Sequence, residues 1–183
     1  MKASKIYLVA IALTFSLNIL AQTSRPHFVG FQPAMTIEPF YEEGEFDINL
    51  IPLVVQVPVN KQVDIRVVSL ANYHFGGVRQ EFSDIGLQVL TPIYFKAKEN
   101  TFDKSSGFYI APVVGYGRNQ INSHTTIVLA AEPGYLFKAD NRFTLSVGLQ
   151  YGRTYFNYDK GGELWREHLG LGKVNIGWWL YKK

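Results

Sequence analysis

From Phe143 to Thr154 the chain alternates without a break, with Phe143, Leu145, Val147, Leu149 and Tyr151 on one parity and Thr144, Ser146, Gly148, Gln150, Gly152 and Thr154 on the other. A period of two marks a β-strand, because successive side chains of a strand point to opposite faces. One face is apolar and the other small and polar. Comparable segments recur along the chain, near 27–41, 45–58, 62–74, 81–96, 107–119, 123–138, 142–158 and 165–181, and Gly-, Asn- and Asp-containing stretches separate them. These segments run to about 10–15 residues, longer than the usual globular strand.

Parity sorts the remaining segments in the same way. Ile85, Leu87, Val89, Ile93 and Phe95 share one face of the fourth, Phe108, Ile110 and Val114 of the fifth, and Ile127, Leu129, Tyr135 and Phe137 of the sixth. Opposite them stand Gln88 and Tyr94, then Ala111, Gly115 and Gly117, then Glu132 and Gly134. Glu38, Asp64, Arg66, Asn72, Lys173 and Asn175 fall on the polar parity of their own segments, so strongly polar mid-strand groups collect on one side. An even number of antiparallel strands can close on itself and leave no free edge. The expectation is an all-β, up-and-down antiparallel barrel of about eight strands with a polar lumen.

The aromatic residues fall into two bands near opposite ends of the strands. One band would hold Tyr94, Phe95, Phe108, Tyr109, Tyr135, Phe137, Phe143, Trp178, Trp179 and Tyr181. The other would hold Phe40, Tyr41, Phe46, Tyr73, Phe75, Phe82, Tyr116, Tyr155, Tyr158 and Trp165. Amphipathic rings prefer the headgroup level of a bilayer, so two belts flanking an aliphatic zone are expected of a transmembrane barrel. The last strand carries Val174, Ile176, Trp178 and Leu180 in alternation with Asn175, Gly177, Trp179 and Tyr181. This texture is similar to the terminal recognition strand of outer-membrane barrels, although Lys182 and Lys183 follow where that pattern ends on an aromatic residue. Over residues 22–183 the chain resembles small eight-stranded outer-membrane proteins of the OmpX, OmpW and OmpA-barrel kind. The resemblance implies periplasmic termini and external loops near 42–44, 75–80, 119–123 and 159–164, all short. The longest turn, 97–106, then falls on the periplasmic side.

The N-terminus agrees with export. Lys2 and Lys5 precede an apolar run from Ile6 to Leu20, which reads as a cleaved signal peptide over 1–21, too short to serve as a spanning helix. Its removal takes the formal charge from +3 to +1 (3 − 2), and the remaining basic residues are scattered, so no nucleic-acid partner is implied. With no cysteine, disulfides, thiolate metal sites and an N-terminal lipidated Cys are excluded. Pro52, Pro92, Pro112 and Pro133 sit inside proposed strands, where each removes a ladder donor, so bulges or ladder faults are expected there.

Candidate chemistry is sparse, and no cofactor or metal motif is present. The inward set of Glu38, Asp64, Arg66, Gln88, Glu132, Gln150, Lys173 and Asn175 reads either as a paired structural network or as the lining of an ion path or small-ligand cavity. Arg118 and Arg153 fall on the outward parity near the external end, where guanidinium groups either snorkel or clamp lipid phosphates. His74, His124 and His168 approach the same rim near Ser123, Asp84, Glu163 and Glu167, weak catalytic candidates that need a nucleophile within hydrogen-bond reach. Three functions follow as expectations. The first is a non-enzymatic outer-membrane protein of a Gram-negative bacterium, with a structural, interaction or small lipid-ligand role. Its partners would be lipopolysaccharide, outer-membrane lipid and the barrel assembly machinery. The second is a barrel enzyme that modifies lipid A, and the third a soluble periplasmic calycin-like lipid carrier.

Overall fold

The computed structural model describes residues 26–33, 35–36, 43–76, 81–100, 105–138 and 143–180. These residues form eleven strand segments: β1 (His27–Phe31), β2 (Met35–Thr36), β3 (Phe46–Asn49), β4 (Leu53–Pro58), β5 (Asp64–Phe75), β6 (Phe82–Leu90), β7 (Ile93–Tyr94), β8 (Gly107–Asn119), β9 (His124–Lys138), β10 (Phe143–Tyr158) and β11 (Glu163–Leu180). Three pairs of short segments, β1 with β2, β3 with β4 and β6 with β7, each make one interrupted stave. The segments therefore build eight staves, each antiparallel to its chain neighbours. β1 also pairs with β11, from His27 opposite Leu180 to Phe31 opposite Ile176, and this closes the barrel. Among the described residues there is no helix.

The period of two decides which side each residue faces. On β10, Thr144, Ser146, Gln150 and Thr154 are buried inside, while Val147, Leu149 and Tyr151 are exposed outside. Ile85, Leu87 and Val89 on β6, Phe108, Ile110 and Val114 on β8, and Leu129 and Phe137 on β9 are likewise exposed. Three residues of the expected aromatic band do not belong to it. Tyr94, Tyr109 and Trp179 point into the barrel and are almost fully buried, because their parity opposes that of their exposed neighbours Phe95, Phe108 and Trp178. Phe40, Tyr41, Tyr181 and the segment 1–21 expected to be a signal peptide lie outside the described residues. The eighth stave begins at Glu163, two residues before the expected 165, and the first is described only to Thr36.

The prolines act as their missing N–H groups require. Pro52 and Pro92 fall in the interruptions of the second and fourth staves. Pro112 lies within β8 and Pro133 within β9, where the β9–β10 pairing skips from Gly134 to Ala131. At Pro52 the stave carries one extra residue, because Asn49 faces Asn72 whereas Val54 faces Val68. Parity therefore flips: Asp47 and Asn49 are buried on one side of the interruption, Val54 and Gln56 on the other. This resolves the ambiguous facing of Leu50 to Val55, with Leu53 exposed and Val54 inside. Side chains complete the broken ladder. Asn49 Oδ1 accepts from Ala71 N at 3.0 Å and Ile51 N at 3.2 Å, and Ser69 Oγ accepts from Leu53 N at 3.0 Å while donating to the Ile51 carbonyl.

A second extra residue lies in β6, where Ala71 faces Ile85 but Tyr73 faces Phe82, and a third lies in β11. Gly148 faces Lys173, but Gln150 faces Gly170, so β10 advances two residues while β11 advances three. Such a bulge leaves one residue unpaired and re-aims those beyond it. Deleting Leu171 should restore regular alternation and keep a barrel whose gel mobility still depends on heating. Deleting Ile176, within the regular ladder, should reverse the facing of 177–180 and abolish that heat-dependent shift.

Candidate functional site: the charged lumen

Carboxylates and cations meet inside the barrel because parity sends them there from different staves. Arg66 on β5 and Glu132 on β9 are both fully buried and meet at 3.3 Å, Nη1 to Oε1. Tyr109 Oη on β8 donates to the same carboxylate oxygen at 2.7 Å, and Gln150 Nε2 on β10 donates to Oε2 at 2.7 Å. Arg66 Nε donates to Gln56 Oε1 at 2.8 Å, and the guanidinium carbon lies 5.3 Å from the centre of the Tyr109 ring. Gln56 Nε2 then donates to Asp64 Oδ2 at 2.6 Å and to Tyr94 Oη at 3.0 Å.

Glycine makes room for this cluster. A Cβ on Gly148 would stand 2.7 Å from Glu132 Oε1, and one on Gly134 would stand 2.4 Å from the Tyr109 ring. The two glycines face each other across β9 and β10, so the widest side chains of the lumen lie over its thinnest wall.

At the end of the barrel where His27 pairs with Leu180, the described residues 95–100 and 105–106 bring side chains to the opening. Lys98 Nζ reaches Asp64 Oδ1 at 2.9 Å and Ser105 Oγ at 3.1 Å, and Ser105 also donates to Asp64 Oδ2. Lys98 N donates to the Lys61 carbonyl at 2.8 Å, tying this segment to the 59–63 turn. Lys98 and Ser105 thus form a stopper at that end.

Of the inward set read from the sequence, Asp64, Arg66, Gln88, Glu132, Gln150, Lys173 and Asn175 are all buried in the lumen, and Glu38 lies outside the described residues. Asp64, Arg66, Glu132 and Gln150 join one continuous network, and Gln88 lies at 3.4 Å from Gln150. Asn175 belongs elsewhere, donating to Ser146 Oγ at 2.8 Å. Sequence reading missed Gln56, Lys98 and Ser105. Gln56 was obscured by the parity flip at Pro52, and nothing local marks a turn residue that folds into the barrel.

The three histidines stand on different staves. His74 Nδ1 lies 2.9 Å from Asp47 Oδ1, and its Nε2 lies 3.8 Å from Glu45 Oε1. Ser83 Oγ donates to Asp47 Oδ2 at 2.6 Å, so its hydroxyl proton is directed at the carboxylate rather than at the imidazole. That order differs from a catalytic triad, in which the imidazole lies between acid and nucleophile. Asp84 accepts from Asn119 at 3.1 Å. His124 packs edge-on to Phe156 and against Tyr158. His168 sits deeper, with Nε2 at 3.2 Å from Gln150 Oε1 and Nδ1 at 3.3 Å from Thr154 Oγ1. Among the described residues no group of three or more His, Asp or Glu is arranged to hold a metal ion.

Outside, Arg118 and Arg153 have different surroundings. Both terminal nitrogens of the Arg118 guanidinium bind Asp159, with Nη1 to Oδ1 at 2.6 Å, so its fork is already occupied. Arg153 lies 6.0 Å from the centre of the Trp165 ring. The Arg118 hydrogen bond holds the Asp159 carboxyl below its usual range.

Comparison with protein-family models, with curated proteins and with solved structures returned no match.

Two outcomes are expected of these contacts. Glu132→Ala should lower stability by about 3–5 kcal/mol, because Arg66 is left as a buried charge without its partner. Arg66→Met combined with Glu132→Leu should recover most of that loss in a urea titration of the detergent-solubilised barrel. For the outer pair, a depressed carboxyl contributes stability above its unfolded pKa, and the contribution is lost as pH falls through the folded value. Asp159 should therefore titrate below about 3.9 by carboxyl NMR, and Arg118→Ala should return it to that range.

Proposed function

We propose that this chain is an outer-membrane β-barrel protein with a non-enzymatic structural or interaction role, exported on its N-terminal leader. The observation that carries this reading is the inversion of the barrel. Its interior holds the fully buried Asp64, Arg66, Glu132 and Gln150. Its outer surface exposes Phe31, Leu53, Ile65, Leu87, Val114, Leu129, Leu149 and Trp178, one from each stave. A large apolar side chain gains about 1.5–3 kcal/mol on leaving water, so a coat that encircles the molecule favours lipid as its solvent. Contiguous exposed apolar surface of this kind marks a membrane or partner contact.

Closure supports the same solvent. In lipid every strand edge must be paired, and the β1–β11 ladder joins the first stave to the last. The Arg66–Glu132 cluster and the Lys98 stopper oppose an open pore, as expected of a lumen about eight strands around. A soluble calycin-like carrier would need the reverse sorting, with an apolar cavity inside and polar residues outside. A lipid A-modifying enzyme would need an activated nucleophile, whereas Ser83 is directed at Asp47. Exposed Tyr116 and Trp165 near one end and Phe108, Phe137 and Trp178 near the other suit headgroup levels. Arg153 beside Trp165 is the better candidate for contact with lipopolysaccharide, since Asp159 occupies Arg118.

Protein in the outer-membrane fraction should migrate differently on a denaturing gel with and without boiling, and its expression should leave the mass of lipid A unchanged. Recovery from the soluble periplasm with no heat shift would replace the membrane reading with the carrier. A new lipid A mass would replace it with the enzyme.

A further inference from the structure

Among the buried lysines and arginines of the described residues, Arg66 is paired with Glu132 and Lys98 with Asp64. Lys173 is left over. It is only 9% exposed and makes neither a hydrogen bond nor an ion pair with any described residue. Glu132 lies over Gly148, the residue opposite Lys173 in the ladder, but its oxygens are engaged by Arg66, Tyr109 and Gln150. An isolated ammonium in a low-dielectric interior costs several kcal/mol, so such groups take a counter-charge or lose their proton.

The backbone is shaped to bring this ammonium inside. Gly170 is buried, and without the bulge at 171–172 the alternation would carry Lys173 to the apolar outer face. The bulge turns it into the lumen and returns Val174, Ile176, Trp178 and Leu180 to the outside. Bulges that re-aim a side chain are enriched next to functional sites. The lysine then leans toward the 159–162 turn, since its Cε would meet a Cβ on Gly170 at 2.7 Å. Gln150 faces Gly170, and His168, on the same side of the bulge and only half-buried, reaches Gln150 Oε1 at 3.2 Å. Arg66 Nη2, in the charged cluster below, is a buried donor with no acceptor among the described residues.

We propose that the half of the lumen on the 159–162 turn side is a binding site for a small anion, a carboxylate or phosphate group held by the Lys173 ammonium above the Arg66–Glu132 floor. The anion supplies the direct ionic partner that Lys173 does not find among the described residues, where only the longer-range attraction of Glu132 reaches it, and Gln150 and His168 line its approach. The site lies inside the barrel and does not rest on which solvent surrounds the outer face.

The test is isothermal titration of the full-length, detergent-solubilised barrel with inorganic phosphate and, in a separate arm, with succinate. One or both should bind with a stoichiometry of one, and the arm that binds identifies the anion class. Added chloride should weaken binding through competition and screening. Lys173→Met should weaken it by about tenfold or more while keeping the heat-dependent gel shift, and Lys173→Arg should retain it. Absence of binding of both anions to the wild-type barrel overturns the proposal, whether or not the Met variant folds. Equal binding by the wild-type and Met proteins also overturns it.

Discussion

The buried contact between Arg66 and Glu132 is the constraint around which the lumen is organised. A guanidinium and a carboxylate removed from water are tolerable only when their remaining hydrogen-bonding positions are filled. Gln56, Tyr109 and Gln150 supply most of those bonds from three further staves, leaving Arg66 Nη2 without an acceptor among the described residues. The contact therefore couples the third, fifth, sixth and seventh staves and the C-terminal part of the second. It also dictates the thin wall beside it, because any side chain on Gly148 would collide with Glu132. A barrel of this strand number leaves little room beyond its side chains, so a polar network of this size becomes the filling itself.

Of the three extra-residue faults among the described residues, those at Pro52 and in β11 show how the outer coat remains apolar while the filling stays polar. Strict alternation would carry the wrong residues outward past Pro52 and past Gly170. One extra residue at each place resets the facing. The two faults differ in their repair. At Pro52 the side chains of Asn49 and Ser69 replace lost backbone bonds, which suits a position where proline removes a donor. At 171–172 the reset coincides with the one buried lysine that makes no ion pair with the described residues. The first fault accommodates a proline; the second determines where a charge is located.

The two ends of the barrel are finished differently. At the end where His27 pairs with Leu180, Lys98 and Ser105 meet Asp64, which accepts from three side chains. At the other end the turns are short and the polar groups form a rim, with His74 and Ser83 on Asp47 and Asn119 on Asp84. One end is stoppered by the chain, and the other leaves His168 half-buried.

The strand count, the approximate strand positions and the facing of most residues were legible in the sequence, because a period of two is a local property and the polar and apolar parities are largely separated from Ile85 to Tyr158. The inward set was legible for the same reason, except where an extra residue reset the parity. The aromatic bands were legible only in part: proximity to a strand end does not distinguish Trp178 outside from Trp179 inside, and parity decides between them. Partners were not legible at all. That Arg66 meets Glu132 across 66 positions of chain, that Lys98 folds back onto Asp64, and that Lys173 is left without an ion pair all depend on distances across the lumen. Those distances follow from closure of the first stave on the last and from the register of every ladder between them. Local alternation determined what faces inward, and only the closed barrel decided which inward groups meet.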